Sequence, residues 1–177
     1  MCTAASCTGW RVASEILPLE WRNVDWTGRV VRLDPGTTKT KEGRSFRFTV
    51  ALEVLLKDQL AEHGRLRKAN RLVRLVFHRD GERIRDFRCA WKAACIAAGC
   101  PGRILHDFRR TAVRNLERVG VSRAAAMAMV GHKTEAIYRP YAIVDAGALR
   151  DAATKIDNAA GSIPGTMTKN AAPTAEP

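Results

Sequence analysis

The sequence predicts an α+β fold, mainly helical, with a small antiparallel three-stranded sheet. Short β-rich runs that alternate apolar and basic residues cluster in the first half of the chain, and one pair is joined by a Pro-Gly turn. Apolar residues recurring at intervals of three and four dominate the second half. Hydrophobic residues make up 46% of the 177 positions, an ordinary share for a globular domain, which sets aside a disordered or fibrous class.

Taken in order, "SEILPLEW" places Ile16, Leu17 and Leu19 after Ser14 as cap and Glu15 in the first turn, so a short helix is expected, limited by Pro18. "GRVVRLD" and "GRSFRFTV" form a hairpin around the Lys-rich turn "PGTTKTKE". Leu52, Leu55, Leu56 and Leu60 have helical spacing from Ala51 to near Gly64, and "RLVRLVF" is read as the third strand. Phe87, Trp91, Ala94, Cys95 and Ala98 form a core-facing stripe on a helix over Asp86 to Ala98, stopped by "AGCPG". In "ILHDFRRTAVRNLERVG", Phe108, Ala112, Val113, Leu116 and Val119 repeat that pattern up to Gly120. Ser122 then caps an Ala/Met-rich helix ending at Gly131, and the two helices are expected to pack as a hairpin. A last short helix is expected from Ala146 to about Ile156. One domain over residues 1–158 is therefore expected, followed by a disordered tail over 159–177 whose composition lacks any apolar period.

Lys and Arg number 30 against 18 acidic residues, a formal net charge of +12 spread through the body of the chain, so a polyanion is the expected partner. No apolar run approaches the length of a spanning helix and nothing reads as a signal peptide; no membrane partner and a cytoplasmic location are expected. Cys2, Cys7, Cys89, Cys95 and Cys100 are an odd set without a CxxC pair, read as reduced packing thiols. Neither a metal site nor a nucleotide-binding loop is apparent, so no cofactor is expected and chemistry must come from side chains alone.

The side chains that qualify lie far apart in sequence: Arg11, Lys39, His106, Arg109, His132 and Tyr141. Each alone has an ordinary explanation, as a surface ion pair beside Glu15, a solvated turn lysine or a histidine at a helix end. Together they suit transfer of a phosphodiester to a tyrosine hydroxyl. Two guanidiniums, Arg11 and Arg109, match the nonbridging oxygens in geometry and charge. The histidines can hold a further contact or move a proton, and a lysine ammonium can protonate the departing sugar oxygen. Tyrosine, with an unperturbed pKa of about 10, needs such cations and a base before it attacks.

"TGWR…SEILPLEW", "GTTKTKEGR", "HDFRRTAVRNL" and "GHKTEAIYRPY" resemble, in order, the signature segments of the tyrosine recombinases, or phage integrases, over about Thr8 to Ile156. The resemblance implies an integrase fold similar to that of type IB topoisomerases. It also implies that Arg11 and Arg109 bind the scissile phosphate and Lys39 is the general acid in the hairpin turn. His106 and His132 complete the pocket, and Tyr141 is the nucleophile forming a 3′-phosphotyrosyl link. Lys41 competes with Lys39, which is preferred for its place five positions before Arg44. Tyr138 competes with Tyr141 but stands where the family packs an apolar or aromatic residue inward. The implied partner is double-stranded DNA, bound as a homotetramer on paired sites when full length, with a nucleoid-associated location.

The chain also departs from the family pattern. The N-terminal helical domain and the first catalytic-domain helix are expected to be missing, which implies weak, salt-sensitive DNA binding and exposed apolar surface around Trp10 and Ile16. Arg11 and Glu15 are one residue further apart than is common. Pro140 directly precedes Tyr141, so the tyrosine should follow a break. Two alternatives stand beside the recombinase: an inactive DNA-binding integrase fragment, and a helix-turn-helix regulator using residues 107–131. The regulator gives Arg11, Lys39, His132 and Tyr141 no role.

Overall fold

Strands β2 (Val30–Leu33) and β3 (Arg44–Arg47) pair antiparallel in the expected hairpin, with Val31 opposite Phe46 and Leu33 opposite Arg44. Inward-facing Val31, Leu33 and Phe46 are buried while Arg32, Ser45 and Arg47 face water, the period of two that a one-sided sheet requires. This is seen in a computed structural model that describes residues 1–38, 41–141 and 146–161. The described chain forms two units, divided between Ile143 and Val144.

The third strand is β1 (Val24–Asp25), on the other edge of β2, and not "RLVRLVF". That segment does feed the core through Val73, Val76 and Phe77. Its backbone instead meets the stretch before β1: Val76 N–H donates to Leu19 O at 2.8 Å and Trp21 N–H to Arg74 O at 3.0 Å. A single bridge between Glu20 and Leu75 results. A further hairpin follows, β4 (His78–Arg79) with β5 (Glu82–Arg83).

Helix α1 (Cys2–Thr8) precedes all of this and packs on α2 (Val50–Lys68) and α4 (Asp107–Arg118). It closes the core where exposed apolar surface was expected: Trp10 is 3% exposed and Ile16 1%. Around them lie Val31, Phe46, Leu52, Leu56 and Val76. Burial of a side chain such as Leu56 contributes about 1.5–3 kcal/mol, and Trp10 adds an edge-on contact with Phe46. Helix α2 starts at the Thr49 cap and runs through Gly64 instead of ending there. Leu66, buried two residues on, rewards continuation with more than the roughly 1 kcal/mol a helical glycine costs.

Helix α3 (Arg88–Ala97) buries Cys95 and half-buries Trp91, but Ala94 and Ala98 are exposed, so its stripe is narrower than expected. It ends on left-handed Gly99, with Cys100 N–H returning to Cys95 O. Helix α4 ends at Arg118, just before exposed Val119 and left-handed Gly120, and packs on α5 (Arg123–Val130), which Ser122 caps and left-handed Gly131 stops. Val113, Ala126, Val130 and Tyr138 form a second apolar cluster there. A short helix, α6 (Glu135–Tyr138), completes the first unit. In the second unit α7 runs from Ala146 to Gly161, five residues beyond the expected end, so residues 159–161 are helical. The expected tail from 162 onward lies outside the described residues.

Candidate active site

Four chain segments meet at the N-terminus of α4. Gly9, the left-handed residue that ends α1, leads through Trp10 to Arg11. From Arg11 the chain makes one wide turn over Val12–Ile16, in which Ile16 N–H bonds Arg11 O and Leu17 N–H bonds Val12 O. These i→i+5 bonds accommodate the extra residue between Arg11 and Glu15 as a π-type bulge. Glu15 still returns to its arginine: Arg11 N–H donates to Oε2 at 2.8 Å and Arg11 Nη1 to Oε1 at 2.9 Å.

Arg109, in the first turn of α4, is only 2% exposed. Its guanidinium donates from Nη1 to Gly9 O at 2.8 Å, from Nη2 to Gly131 O at 3.3 Å and from Nε to His132 Nε2 at 2.9 Å. The acceptors come from two separate turns, Gly9 from one and Gly131 with His132 from the other, and the fixed fork of donors makes Arg109 the peg on which they converge. Gly9 fits this place twice over. Its φ of +67° suits glycine, and a Cβ there would press against Val130 and Ala112. Burial, then the neighbouring Arg11, pushes Arg109 down to about 10, so it remains a cation at neutral pH.

His132 follows Gly131 and is 7% exposed. Because its Nε2 accepts from Arg109, its Nδ1 carries the proton when the ring is neutral, and that Nδ1 is buried without a partner among the described residues. The ring lies between Tyr138, edge-on at 5.6 Å, and Tyr141, tilted by 31° at 5.1 Å. Tyr138 is fully buried and donates its hydroxyl to Glu117 at 2.7 Å; burial and that carboxylate push its phenol up. Tyr141 comes after the end of α6, as Pro140 requires, with its N–H on Tyr138 O. Its hydroxyl is 3.0 Å from His106 Nε2.

Arg11, His106 and Arg109 line a cleft of about 240 Å3. The structure thus brings together Arg11, His106, Arg109, His132 and Tyr141. Lys39 lies outside the described residues; Lys41, with φ of 59°, is in the same turn. The regulator alternative gives no account of this geometry, in which Arg109 in the first turn of α4 is bonded to Gly131 O and His132 Nε2 just past the end of α5.

Sequence reasoning missed two members of the site. Glu15, read as a first-turn acid, is 2% exposed, and the side chain of Arg44 is 5% exposed. Three arginines, Arg11, Arg44 and Arg109, surround this one buried carboxylate. The available signal was the pairing of a lone acid after Arg11 with an arginine closing the Lys-rich turn.

Both histidines are held neutral. Burial, then Arg109, lowers His106, and the same two causes lower His132 to about 4. Unfolded histidines take up protons near pH 6.5, so between that pH and about 4 the unfolded chain binds more protons than the folded one. Stability is expected to fall as pH drops through this window, by at most about 1.4 kcal/mol per pH unit from His132, with His106 acting in the same direction. Urea midpoints at pH 7 and pH 5 check this; an unchanged or higher midpoint at pH 5 contradicts it.

The profile of the phage integrase family matches residues 1–147, and the chain belongs to that family. Among solved structures it is similar to XerA recombinase, at 19% identity and a TM-score of 0.63, covering 87% of this chain and 56% of that one. It is also similar to XerH site-specific recombinase bound to difH substrate in a pre-cleavage complex, at 19% identity and TM-score 0.63, covering 86% and 44%. A third likeness is to the Tn1549 transposon integrase in complex with transposon right end DNA, at 15% identity and TM-score 0.68, covering 90% and 57%. These are likenesses of fold, and the chain spans about half the length of the structures it matches. No curated protein sequence matches it.

Proposed function

We propose that this chain is the catalytic domain of a site-specific tyrosine recombinase, which cleaves and rejoins double-stranded DNA through a 3′-phosphotyrosyl intermediate. The observation that carries this is the Tyr141 hydroxyl, 3.0 Å from the Nε2 of a neutral histidine, His106, beside a cleft lined by Arg11 and Arg109. Arg11 and Arg109 hold the nonbridging oxygens, where negative charge grows as the phosphorus becomes five-coordinate. His106 Nε2 takes the phenolic proton as the Tyr141 oxygen bonds to phosphorus. His132 packs against both Arg109 and Tyr141, fixing their approach. The 5′ oxygen leaves with a proton from Lys39, or from Lys41 in the same turn. Reversal with a different 5′-hydroxyl exchanges strands without an external energy source.

A duplex library carrying a 5′-bridging phosphorothiolate at its centre tests this, because the sulfur leaving group traps the adduct. A covalent band is expected with the unaltered chain and with Tyr138→Phe, and none with Tyr141→Phe. Duplex binding without a band in any of them supports the inactive DNA-binding fragment instead.

Arg67, Lys68, Arg74, Arg79, Arg83 and Arg85 are exposed and make no ion pair with described residues, and we assign them in part to the DNA-facing surface. With about four phosphates neutralised, affinity is expected to fall roughly 100-fold between about 50 and 200 mM salt. A gel-shift titration that finds little change contradicts this. The complexes of XerH with its difH substrate and of the Tn1549 integrase with transposon right end DNA support DNA as the ligand. Assembly as a homotetramer on paired sites, and a cytoplasmic, nucleoid-associated location, belong to the same reading. Among the described residues no helix is long and apolar enough to cross a membrane.

A further inference from the structure

Arg44, the first residue of β3, touches both arms of the site without lining the cleft. Its Nη2 donates to Glu15 Oε1 at 2.6 Å, the oxygen that also receives Arg11 Nη1. Its Nη1 donates to Val130 O at 2.8 Å. The guanidinium lies where a Cβ on Gly131 would stand, so it covers the turn that presents the Gly131 carbonyl to Arg109 and His132 Nε2 to the same guanidinium. Its side chain is 5% exposed and its Nε is buried without an acceptor among the described residues, an arrangement tolerated because the two Nη bonds hold it. A lysine ammonium is a point charge and does not reproduce the planar fork that spans these two acceptors.

We propose that Arg44 is a positioning residue for phosphodiester transfer: through Glu15 it sets Arg11, and through the Val130–Gly131 turn it sets Arg109 and His132. This rests on the recombinase reading above. Removing Arg44 leaves both phosphate-gripping arginines present but free to shift, and displacement of about 1 Å at a reacting centre can cost roughly 100-fold in rate.

The test is single-turnover cleavage of the phosphorothiolate duplex at saturating protein, with duplex affinity and thermal unfolding measured on the same samples. The sulfur leaving group removes dependence on the lysine acid, so the rate reads nucleophile and phosphate placement. Arg44→Lys is expected to stay folded, bind within about threefold of the unaltered chain, and cleave roughly 100-fold slower. Free guanidinium ion is expected to raise the rate of Arg44→Ala about tenfold and leave the unaltered chain unchanged. A merely structural role moves the unfolding temperature but neither of these readouts. If Arg44→Lys does not fold, Glu15→Gln combined with Arg44→Gln removes both buried charges, and this double variant is also expected to bind but cleave slowly. Cleavage by a folded variant within about threefold of the unaltered chain overturns the proposal. Absence of cleavage by the unaltered chain overturns the recombinase reading and this inference with it.

Discussion

Arg109→Ala is expected to lower the rate of covalent adduct formation by at least about 1,000-fold and to destabilise the fold as well. In the proposed reaction Arg109 is a charged donor to the developing oxyanion, and the rate effect follows from its removal, each such donor being worth about 100- to 1,000-fold. Arg109 also gathers Gly9 O, Gly131 O and His132 Nε2 around one guanidinium. Alanine leaves those acceptors buried without a donor, at about 1–3 kcal/mol for each one that water does not reach. Relief of repulsion from Arg11 and Arg44 offsets part of that cost. Adduct kinetics and urea denaturation on the same preparation separate the two effects. A folded Arg109→Ala chain that cleaves within tenfold of the unaltered one contradicts the role given to this residue.

Glu15→Ala is expected to be the most destabilising single change, by about 3–5 kcal/mol. The carboxylate accepts from Arg11 twice and from Arg44 once, in a region where Arg109 is a third cation. Its removal strands three guanidiniums close together, two of them largely out of water. Against the roughly 5–15 kcal/mol that holds a domain folded, this is a large fraction. Since three arginines to one glutamate leave an unbalanced positive site, inorganic phosphate should restore part of the lost stability by binding the folded state. A loss below about 1 kcal/mol in urea denaturation contradicts the account of this cluster.

The elements legible in the sequence were those with local signatures. The β2–β3 hairpin declared itself by alternation around Pro35 and Gly36, and α4 and α5 by apolar spacing between Gly120, Ser122 and Gly131. Helix α1 was hidden because "CTAASCT" has no apolar period; it forms by packing on α2 and α4. Strand β1 is two residues long, too short to alternate, whereas "RLVRLVF" has strand composition but its core-facing side chains are positioned by a crossing of the chain near Glu20. Arg11, His106, Arg109, His132 and Tyr141 were grouped in the sequence by residue type and by the family resemblance, and the fold sets them near one another, while their roles belong to the proposed function. Burial of Glu15 and Arg44 was not, since a charge in sequence reads as a surface charge until its partner, 29 positions away, is seen beside it. The absorption of one extra residue into an i→i+5 turn is likewise a property of three-dimensional closure and has no composition of its own.

The central claim is that the Tyr141 oxygen becomes bonded to the 3′-phosphate of a cleaved DNA strand. It is tested most directly by running the phosphorothiolate reaction on one duplex labelled in parallel at the 5′ or the 3′ end of the scissile strand, then digesting the adduct with protease and identifying the modified peptide. The account predicts that only the 5′ label stays with protein, that the peptide contains Tyr141, and that Tyr141→Phe forms no adduct. Retention of the 3′ label, or an adduct that persists in Tyr141→Phe, contradicts it.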